Sequence, residues 1–388
     1  MKTSTNKSKQ VVSKVLGWAG IELDGSRPYD IKVRDERLYD RLLREKDLGF
    51  GESYMDGWWD AERLDILAEK IIGAEIHIRL KQNPRVLLST ICCLLFNLQT
   101  KQKAKKVAQE HYDLGNNLYE LMLDKNLSYS CGYWKFAKDL DEAQEHKLEM
   151  ICQKLQLKPG MKLLDIGCGW GAMARHAAKY HGARVVGVTI SKEQQKLAQE
   201  RCRGLPIEIR LQDYRDIRES FDRIVSIGMF EHVGYKNYRT FMKVCNRTLT
   251  DDGLFLLHTI GGNQSRVMGN PWIEKYIFPH GMIPSIKQIG ESIEGLFVME
   301  DWHNLSTNYD KTLMAWHKNF NQNWPIIKEF HSEKFKRMWN FYLLFCAGTF
   351  RARYIQLWQV VLSKNGVKGG YQIRDLNLSK KREFINNG

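Results

Sequence analysis

Short apolar runs alternate with amphipathic segments through the second half of the chain, and this alternation predicts its fold. The runs that we predict as buried strands are 162–166, 184–189, 207–211, 222–227 and 253–259. Between them lie segments of helical pattern such as 191–202 and 237–249. Two later runs, 297–303 and 355–363, would complete a seven-stranded sheet. The alternation predicts an α/β fold whose mostly parallel sheet is covered by helices on both faces.

The first hundred residues have a different pattern. Residues 38–74 contain short helical patterns that are interrupted by a turn rich in glycine and aromatic residues. We therefore predict three parts of the chain: a small, mainly helical N-terminal domain for membrane docking at 1–100, a basic linker at 101–108 and a catalytic domain at 109–388.

The longest apolar run, 86–98, is about 13 residues long, whereas a membrane-spanning helix requires about 20. No aspartate or glutamate occurs between His77 and Gln109, while lysines and arginines flank the run. This composition is typical of a helix in a membrane interface, where residues 77–106, together with 380–384, would bind anionic headgroups. A core helix followed by a basic linker has the same composition, and the sequence leaves both interpretations open.

The charge balance restricts the partners. Among 388 residues, 59 are basic and 45 acidic, a formal net charge of +14. Such an excess favours a partner with phosphates: nucleic acid, an anionic membrane surface or an acidic metabolite. The 8 cysteines form no CxxC pair, no zinc spacing is recognisable, and the N-terminus lacks an apolar signal core. We therefore predict a reduced cytoplasmic protein without a bound metal.

A glycine loop follows the first predicted strand of the sheet, in the segment LLDIGCGWG at 163–171. Gly167, Gly169 and Gly171 would let the backbone turn tightly and approach a ligand. A nicotinamide dinucleotide site requires the spacing GxGxxG and an acid at the end of the second strand, and this sequence has neither. With Asp165 before it, the loop resembles the first motif of Rossmann-like S-adenosylmethionine methyltransferases.

Further motifs extend this resemblance over nearly the whole chain. They are HYDLGN (111–116), YSCGYW (129–134), VTISKEQ (188–194), GMFEHVG (228–234), LLHTIG (256–261) and NYDKTLMAW (308–316). With these motifs in this order, the chain resembles the cyclopropane-fatty-acid synthases. GESYMDGWW at 51–59 is similar to the N-terminal part of the bacterial phospholipid enzymes, which the related mycolic acid enzymes lack. The resemblance implies a class I methyltransferase domain that transfers a methylene group from S-adenosylmethionine to a cis double bond of a phospholipid acyl chain.

Methyl transfer to an alkene leaves a carbocation, and ring closure then requires a base that removes a proton. The resemblance implies that this base is bicarbonate, bound by Cys131, Glu231, His258, the backbone of Ile260, and Tyr309. Because the fourth and fifth predicted strands end in the motifs 228–234 and 256–261, Glu231 and His258 should face one crevice. His258 and Tyr309 can donate hydrogen bonds to an anion, whereas an ionised Glu231 can only accept one or orient His258.

Structural roles are the alternative for these residues. A glutamate at a strand end often forms an ion pair, a histidine in an apolar strand is often a satisfied core residue, and Tyr309 could merely pack its ring. We expect Cys131 to be a wall of the anion site. A covalent mechanism in this family would nominate Cys346, but direct transfer from a sulfonium needs no nucleophile.

The expected cofactor-binding residues are Tyr112, Tyr129, Ser130, Asp165, Gly167, Cys168, Gly169, Trp170, Gly171, Thr189, Gln194, Gln212, Asp213 and Tyr214. The resemblance places Tyr112, Tyr129 and Ser130 beside the cofactor. Because the second strand ends without an acid, Thr189 and Gln194 are expected to bind the ribose.

Asp213 follows the third predicted strand, where an acid can accept the adenine amino group between Gln212 and Tyr214. Cys168 is expected to be a packing residue within the loop. Aromatic faces can stabilise both a sulfonium and a carbocation, and Trp170 is one candidate for this role. Trp134 and Phe230 are others.

Several functions remain open at this stage. The same cofactor could serve an RNA or DNA methyltransferase, although no NPPY-like motif follows the fourth strand. A fatty-acyl enzyme could also resolve the carbocation into a methyl branch, a methylene or a hydroxyl group. A membrane-binding protein without activity is the non-enzymatic alternative. For the cyclopropane function we expect a homodimer that associates peripherally with the inner face of the membrane, with no nucleic acid partner.

Overall fold

The computed structural model describes residues 2–75 and 116–372. These residues form two compact units. The first unit consists of 2–75, 268–279 and 309–355, and the second of 116–267, 280–308 and 356–372. The expectations for Tyr112, for the apolar run 86–98 and for the basic segments 101–108 and 380–384 lie outside these residues.

The helices, in chain order, are α1 (Lys2–Gly17), α2 (Arg37–Met55), α3 (Leu64–Gly73), α4 (Asn116–Met122), α5 (Leu140–Lys154), α6 (Ala172–His181), α7 (Lys192–Arg201), α8 (Tyr238–Thr248), α9 (Pro271–Tyr276), α10 (Ile286–Ile293), α11 (Asn308–Gln322), α12 (Trp324–Ile327) and α13 (Glu333–Arg351). The strands are β1 (Lys32–Val33), β2 (Trp59–Asp60), β3 (Lys162–Ile166), β4 (Arg184–Thr189), β5 (Ile207–Leu211), β6 (Phe221–Ile227), β7 (Leu249–Gly262), β8 (Val298–Asn304) and β9 (Ile355–Ser363).

A seven-stranded sheet with the order β5-β4-β3-β6-β7-β9-β8 organises the second unit. The strands from β5 to β7 pair in parallel, whereas β8 and β9 pair antiparallel. The predicted class I methyltransferase fold with a mostly parallel sheet is therefore confirmed. The strand order reverses beside β3, so the carboxyl ends of β3, β4 and β6 border the crevice in which open α/β sheets bind ligands.

Helices cover both faces of this sheet, as the continuous apolar character of its strands requires. Neighbouring residues of β3 point to opposite faces. Leu164 belongs to a core cluster with residues of α8 and α10, while Leu163 belongs to a second cluster with residues of α5 and α6. The two clusters hold β3 in the middle of the sheet, where its carboxyl end positions the glycine loop.

The first unit is mainly helical, with a close approach of α3 and α13. A Cβ at Gly348 of α13 would lie 2.4 Å from the backbone oxygen of Asp65, so only glycine allows this contact. Arg351, one turn further along α13, donates to the carboxylates of Asp65 and Asp310, both at 2.8 Å. These contacts join three segments that are distant in sequence.

The motif GESYMDGWW contributes to the core of this first unit. Trp59 stacks on Phe50 with ring centroids 4.4 Å apart, and its indole nitrogen donates to Ser53 Oγ at 3.0 Å. A Cβ at Gly51 would lie 2.4 Å from the indole of Trp272. Within the first unit, this motif therefore has a packing role.

The two units are not consecutive stretches of the chain. Residues 268–279 and 309–355 fall within the predicted catalytic domain, 109–388, but pack with the N-terminal segment. Over the ranges 2–75 and 116–372, none of the helices is long and apolar enough to cross a membrane.

Candidate active site

The glycine loop joins the carboxyl end of β3 to α6. Gly167, Gly169 and Gly171 have φ angles of 81°, 53° and 83°, a backbone region that other residues rarely adopt. A Cβ at Gly167 would lie 2.8 Å from the side chain of Met229. The predicted tight turn at the switch point of the sheet is therefore present.

Beside the loop lies a cavity of about 190 Å³ within the second unit. The predicted cofactor residues that line it are Tyr129, Ser130, Asp165, Gly167, Cys168, Gly169, Trp170, Thr189, Gln194, Gln212, Asp213 and Tyr214. Gly171 is not among the lining residues, because it begins α6 and packs towards Cys202. The structure thus brings together residues from the ends of β3, β4 and β5 and from the segment before α5, although their contact with a cofactor remains a prediction.

Thr189 and Gln194 form an uncharged hydrogen-bonded pair at the end of β4. The hydroxyl of Thr189 donates to Gln194 Oε1 at 2.8 Å, and both side chains are buried at the cavity wall. Ser191 accepts the backbone N–H of Gln194 at 3.3 Å and so caps α7. In this position the pair can offer an amide donor and a hydroxyl acceptor to a pair of ribose hydroxyl groups.

Asp213 follows β5 and forms an ion pair with Arg215 at 2.6 Å, while also accepting the backbone N–H of Arg215 at 3.0 Å. These bonds fix the carboxylate at the cavity edge. Gln212 is held by its backbone N–H, which donates to the Thr189 carbonyl at 3.0 Å. The ring of Tyr214 packs against Phe241, with centroids 5.1 Å apart.

Two aromatic residues, Tyr129 and Trp170, line another part of the cavity and pack on the buried Tyr119. Tyr119 lies 4.9 Å from Trp170 and 5.2 Å from Tyr129, measured between ring centroids. The indole nitrogen of Trp170 donates to Asn116 at 3.2 Å. Phe230 stacks on Tyr238 in the core instead of lining the cavity.

Glu231 lies in a 3₁₀ turn, Phe230–His232, just after β6. Its Oε1 accepts the backbone N–H of Ile260 at 2.7 Å. Across the described ranges, its buried Oε2 has no hydrogen-bond partner. Burial raises the pKa of Glu231 to about 7, although the bond from Ile260 opposes this shift. The hydrogen bond from the backbone N–H of Ile260 also holds the side chain of Glu231 in place.

His258 lies on β7, opposite Ile227 of β6, and is fully buried. The side-chain amide nitrogen of Gln359 lies 3.2 Å from His258 Nδ1. Because an amide N–H can only donate, Nδ1 accepts and the ring proton lies on Nε2. In the part of the chain that the structure describes, this Nε2 has no partner. Burial, with Lys147 and Lys154 nearby, lowers the pKa of His258 well below its ordinary value.

Cys131, Tyr309 and Cys346 lie in different surroundings. Cys131 is buried in the second unit and its thiol donates to the Gly132 carbonyl at 3.2 Å. In the first unit, Tyr309 packs its ring on Phe350, with centroids 4.7 Å apart. Burial raises the pKa of the Cys346 thiol to about 12, which leaves it protonated and a poor nucleophile. The roles assigned to these three residues remain predictions.

Sequence reasoning missed Lys147 and His232, which line the cavity, and Gln359, which contacts His258. The sequence pattern does indicate that Lys147 is buried. This lysine lies next to Leu148 and four residues before Ile151, which places it on the apolar face of its helix. For Gln359 the sequence offers no such indication, because its contact with His258 joins two strands that are far apart along the chain.

A cluster of possible metal ligands lies on α5 and α6, although the sequence spacing had suggested none. One ligand atom each of Cys152, His176 and His181 lies within 4.8 Å of the others. The Nε2 atoms of both histidines already bond to Glu149 Oε2, at 3.1 and 3.0 Å. These hydrogen bonds account for the cluster as a buried carboxylate network.

The parallel sheet, the glycine loop and the cavity at the carboxyl ends of the strands define a class I methyltransferase. The sequence pattern of the family described as mycolic acid cyclopropane synthetase matches residues 99–360. The chain belongs to this family, and the protein is an enzyme of the S-adenosylmethionine-dependent methyltransferase class.

Individual relatives agree with this assignment. The cyclopropane-fatty-acyl-phospholipid synthase of Escherichia coli K12 is 54% identical over 364 residues, which cover 94% of this chain and 95% of the relative. A mycolic acid cyclopropane synthase complexed with SAH and CTAB has a TM-score of 0.63 at 35% identity, covering 67% of this chain and 98% of its own. A cyclopropane synthase from Mycobacterium tuberculosis has a TM-score of 0.64 at 34% identity, with coverages of 69% and 100%.

Proposed function

We propose that this protein transfers a methylene group from S-adenosylmethionine to the cis double bond of an unsaturated phospholipid acyl chain, with bound bicarbonate as the base. Two polar side-chain atoms carry the proposal. One belongs to Glu231, which follows β6, and the other belongs to His258, which lies on β7. Within residues 2–75 and 116–372, Glu231 Oε2 and His258 Nε2 are both buried and without a hydrogen-bond partner. Each costs about 1–3 kcal/mol if it stays unpaired.

Bicarbonate has the hydrogen-bonding groups that these two atoms lack. Its O–H can donate to Glu231, and its other oxygens can accept from His258 Nε2–H. A neutral His258 binds the anion without placing a second positive charge beside a carbocation. The buried thiol of Cys131, which donates to the Gly132 carbonyl, would form a wall of the pocket.

S-adenosylmethionine fits the cavity by its chemistry. The glycine loop allows close backbone approach, Thr189 and Gln194 suit a ribose, and the Asp165 carboxylate at the cavity wall suits an ammonium group. When bound, this cofactor supplies an electrophilic methyl group. The residues around it exclude water and hold the acceptor alkene in line.

The reaction balances with one base. The alkene electron pair attacks the methyl carbon, which leaves a carbocation on the acyl chain. Loss of a proton from the added methyl group lets that C–H pair form the third carbon–carbon bond of the ring. Glu231 would orient bicarbonate and, through its negative charge, strengthen it as the proton acceptor. Bicarbonate is a safer base beside this cation than a carboxylate in direct contact, which could be alkylated.

The lipid must reach this site from a bilayer, so we also propose peripheral membrane association and a homodimer. The formal net charge of +14 supports attraction to anionic headgroups. Vesicle sedimentation of the full chain and of a variant lacking 86–98 tests the docking segment, because unchanged binding of the variant would exclude it. Light scattering after size-exclusion chromatography tests the dimer.

The function is tested by incubating purified protein with S-adenosylmethionine and vesicles of cis-unsaturated phospholipid, in buffer depleted of bicarbonate and again after its addition. Mass spectrometry and NMR of the released acyl chains should show a gain of one CH2 with upfield ring protons, and the rate should rise with bicarbonate. A methyl-branched, methylene or hydroxylated product would retain the cofactor but contradict ring closure. Methylation of RNA without a change in the acyl chains would contradict the proposed phospholipid substrate.

A further inference from the structure

Lys147 is a buried cation whose role the reaction above does not explain. It lies on α5 with 1% of its surface exposed and borders the cavity. Its ammonium group donates to Ser130 Oγ at 3.0 Å. Among the described residues it forms no ion pair. An ammonium group has three N–H donors, so this single bond leaves capacity for an anionic ligand.

Asp165, at the same cavity, is a buried carboxylate with capacity for a cationic ligand. It lies on β3 with 1% of its surface exposed, and no residue in the described ranges donates to its Oδ2. Burial raises the pKa of Asp165 to about 7, while burial lowers the pKa of Lys147 to about 8. Both shifts show that neither charge is fully compensated by the protein around it.

The two groups attract each other but do not form an ion pair. A ligand that carries an anionic and a cationic group on one carbon atom would satisfy both side chains. The α-carboxylate and α-ammonium of S-adenosylmethionine have this arrangement. We propose that Lys147 is a cofactor-binding residue that receives the α-carboxylate, while Asp165 faces the α-ammonium. The inference rests on the cofactor assigned in the proposed function.

The surrounding contacts fix Lys147 in this position. Gln144, one turn earlier on α5, donates its side-chain amide to the Ser130 carbonyl at 2.7 Å. The two α5 side chains therefore hold Ser130 through both its carbonyl and its hydroxyl. Lys147 thus links α5 to the segment that carries Tyr129 and Cys131.

Calorimetry with two ligands separates charge recognition from a structural role. S-adenosylhomocysteine carries the amino-acid end, whereas 5′-methylthioadenosine lacks it. Lys147→Met should weaken S-adenosylhomocysteine binding by about ten- to a hundredfold, the range for hydrogen bonds to charged groups, and leave 5′-methylthioadenosine binding unchanged. Equal loss for both ligands, or no loss for either, would overturn the proposal.

A matched control lies on the same helix. Lys154 is also a buried lysine, but it forms an ion pair with Asp301 at 2.8 Å. Lys154→Met should lower the melting temperature without changing the ratio of the two affinities. If this control lowers that ratio as much as Lys147→Met does, general loss of buried charge explains the effect and the proposal fails.

A ligand-side experiment keeps the test independent of variant folding. The wild-type protein should bind the decarboxylated analogue of S-adenosylhomocysteine about ten- to a hundredfold more weakly than the intact ligand. Equal affinities would show that the protein does not recognise the α-carboxylate and would contradict its contact with Lys147. Failure of the wild type to bind S-adenosylhomocysteine at all would instead contradict the proposed cofactor, so the two failures are distinguishable.

Discussion

Replacement of Glu231 by glutamine should abolish activity and yet stabilise the protein at alkaline pH. The pKa of Glu231 is about 7 in the folded protein, against 4.5 for an unperturbed glutamate. Folding therefore favours the protonated form. The stability contribution of this carboxyl group is fully present below about pH 4.5 and is lost as the pH rises through about 7.

The size of the effect follows from these two pKa values. Their difference corresponds to about 3 kcal/mol once both states are ionised. Glutamine keeps an oxygen that can accept from Ile260 but does not titrate. Between about pH 5 and about pH 8, Glu231→Gln should therefore gain about 2–3 kcal/mol of unfolding free energy relative to the wild type.

Urea unfolding at both pH values, in bicarbonate-free buffer, measures this difference. Glu149→Gln is the matched control, because Glu149 is an equally buried carboxylate with the opposite shift. Although burial opposes it, hydrogen bonds from His176 and His181 hold the pKa of Glu149 below its ordinary range. This control should be destabilised at about pH 8 relative to the wild type. If the unfolding free energy of Glu231→Gln does not rise relative to the wild type between about pH 5 and about pH 8, burial does not raise the pKa of Glu231.

Three further predictions concern the neighbouring residues. Gln359→Leu should raise the bicarbonate concentration needed for half-maximal rate, because His258 Nδ1 loses its donor; a lower kcat with unchanged bicarbonate dependence would contradict this. Gly167→Ala should destabilise the fold by about 1–3 kcal/mol and weaken S-adenosylhomocysteine binding, since its φ is 81° and its Cβ would meet Met229. Urea unfolding and calorimetry check it, and unchanged values would speak against the strain. Cys346→Ser should retain kcat, because a thiol of pKa about 12 is not ionised at neutral pH; a large loss would favour covalent chemistry.

The sheet was accessible from sequence because its strands are buried apolar runs with clear ends. The strands 162–166, 184–189, 207–211 and 355–363 have the predicted bounds. The run predicted at 253–259 is longer, Leu249–Gly262. Leu249, the first residue of β7, pairs with Phe221 before the register between β6 and β7 shifts. The polar residues that follow Leu249 interrupt the apolar run, so the pattern did not predict this longer strand.

The grouping of segments into units was less accessible, because it depends on contacts without a local pattern. Nothing near Gly348 in the sequence indicates that its missing Cβ admits the Asp65 carbonyl. The site shows the same division. The family motifs nominate Glu231 and His258 as site residues, and this remains a prediction. The bond from Ile260 to Glu231 and the contact of Gln359 with His258 depend instead on how distant segments pair.

The most direct measurement uses S-adenosylmethionine with a trideuterated methyl group, vesicles of cis-unsaturated phospholipid and saturating bicarbonate. We expect a ring carbon that carries two deuterons, because one deuteron leaves the added methyl group in the final step. An acyl chain that retains all three deuterons on a methyl branch would show that the carbocation is resolved elsewhere, and would contradict ring closure by a base at Glu231 and His258.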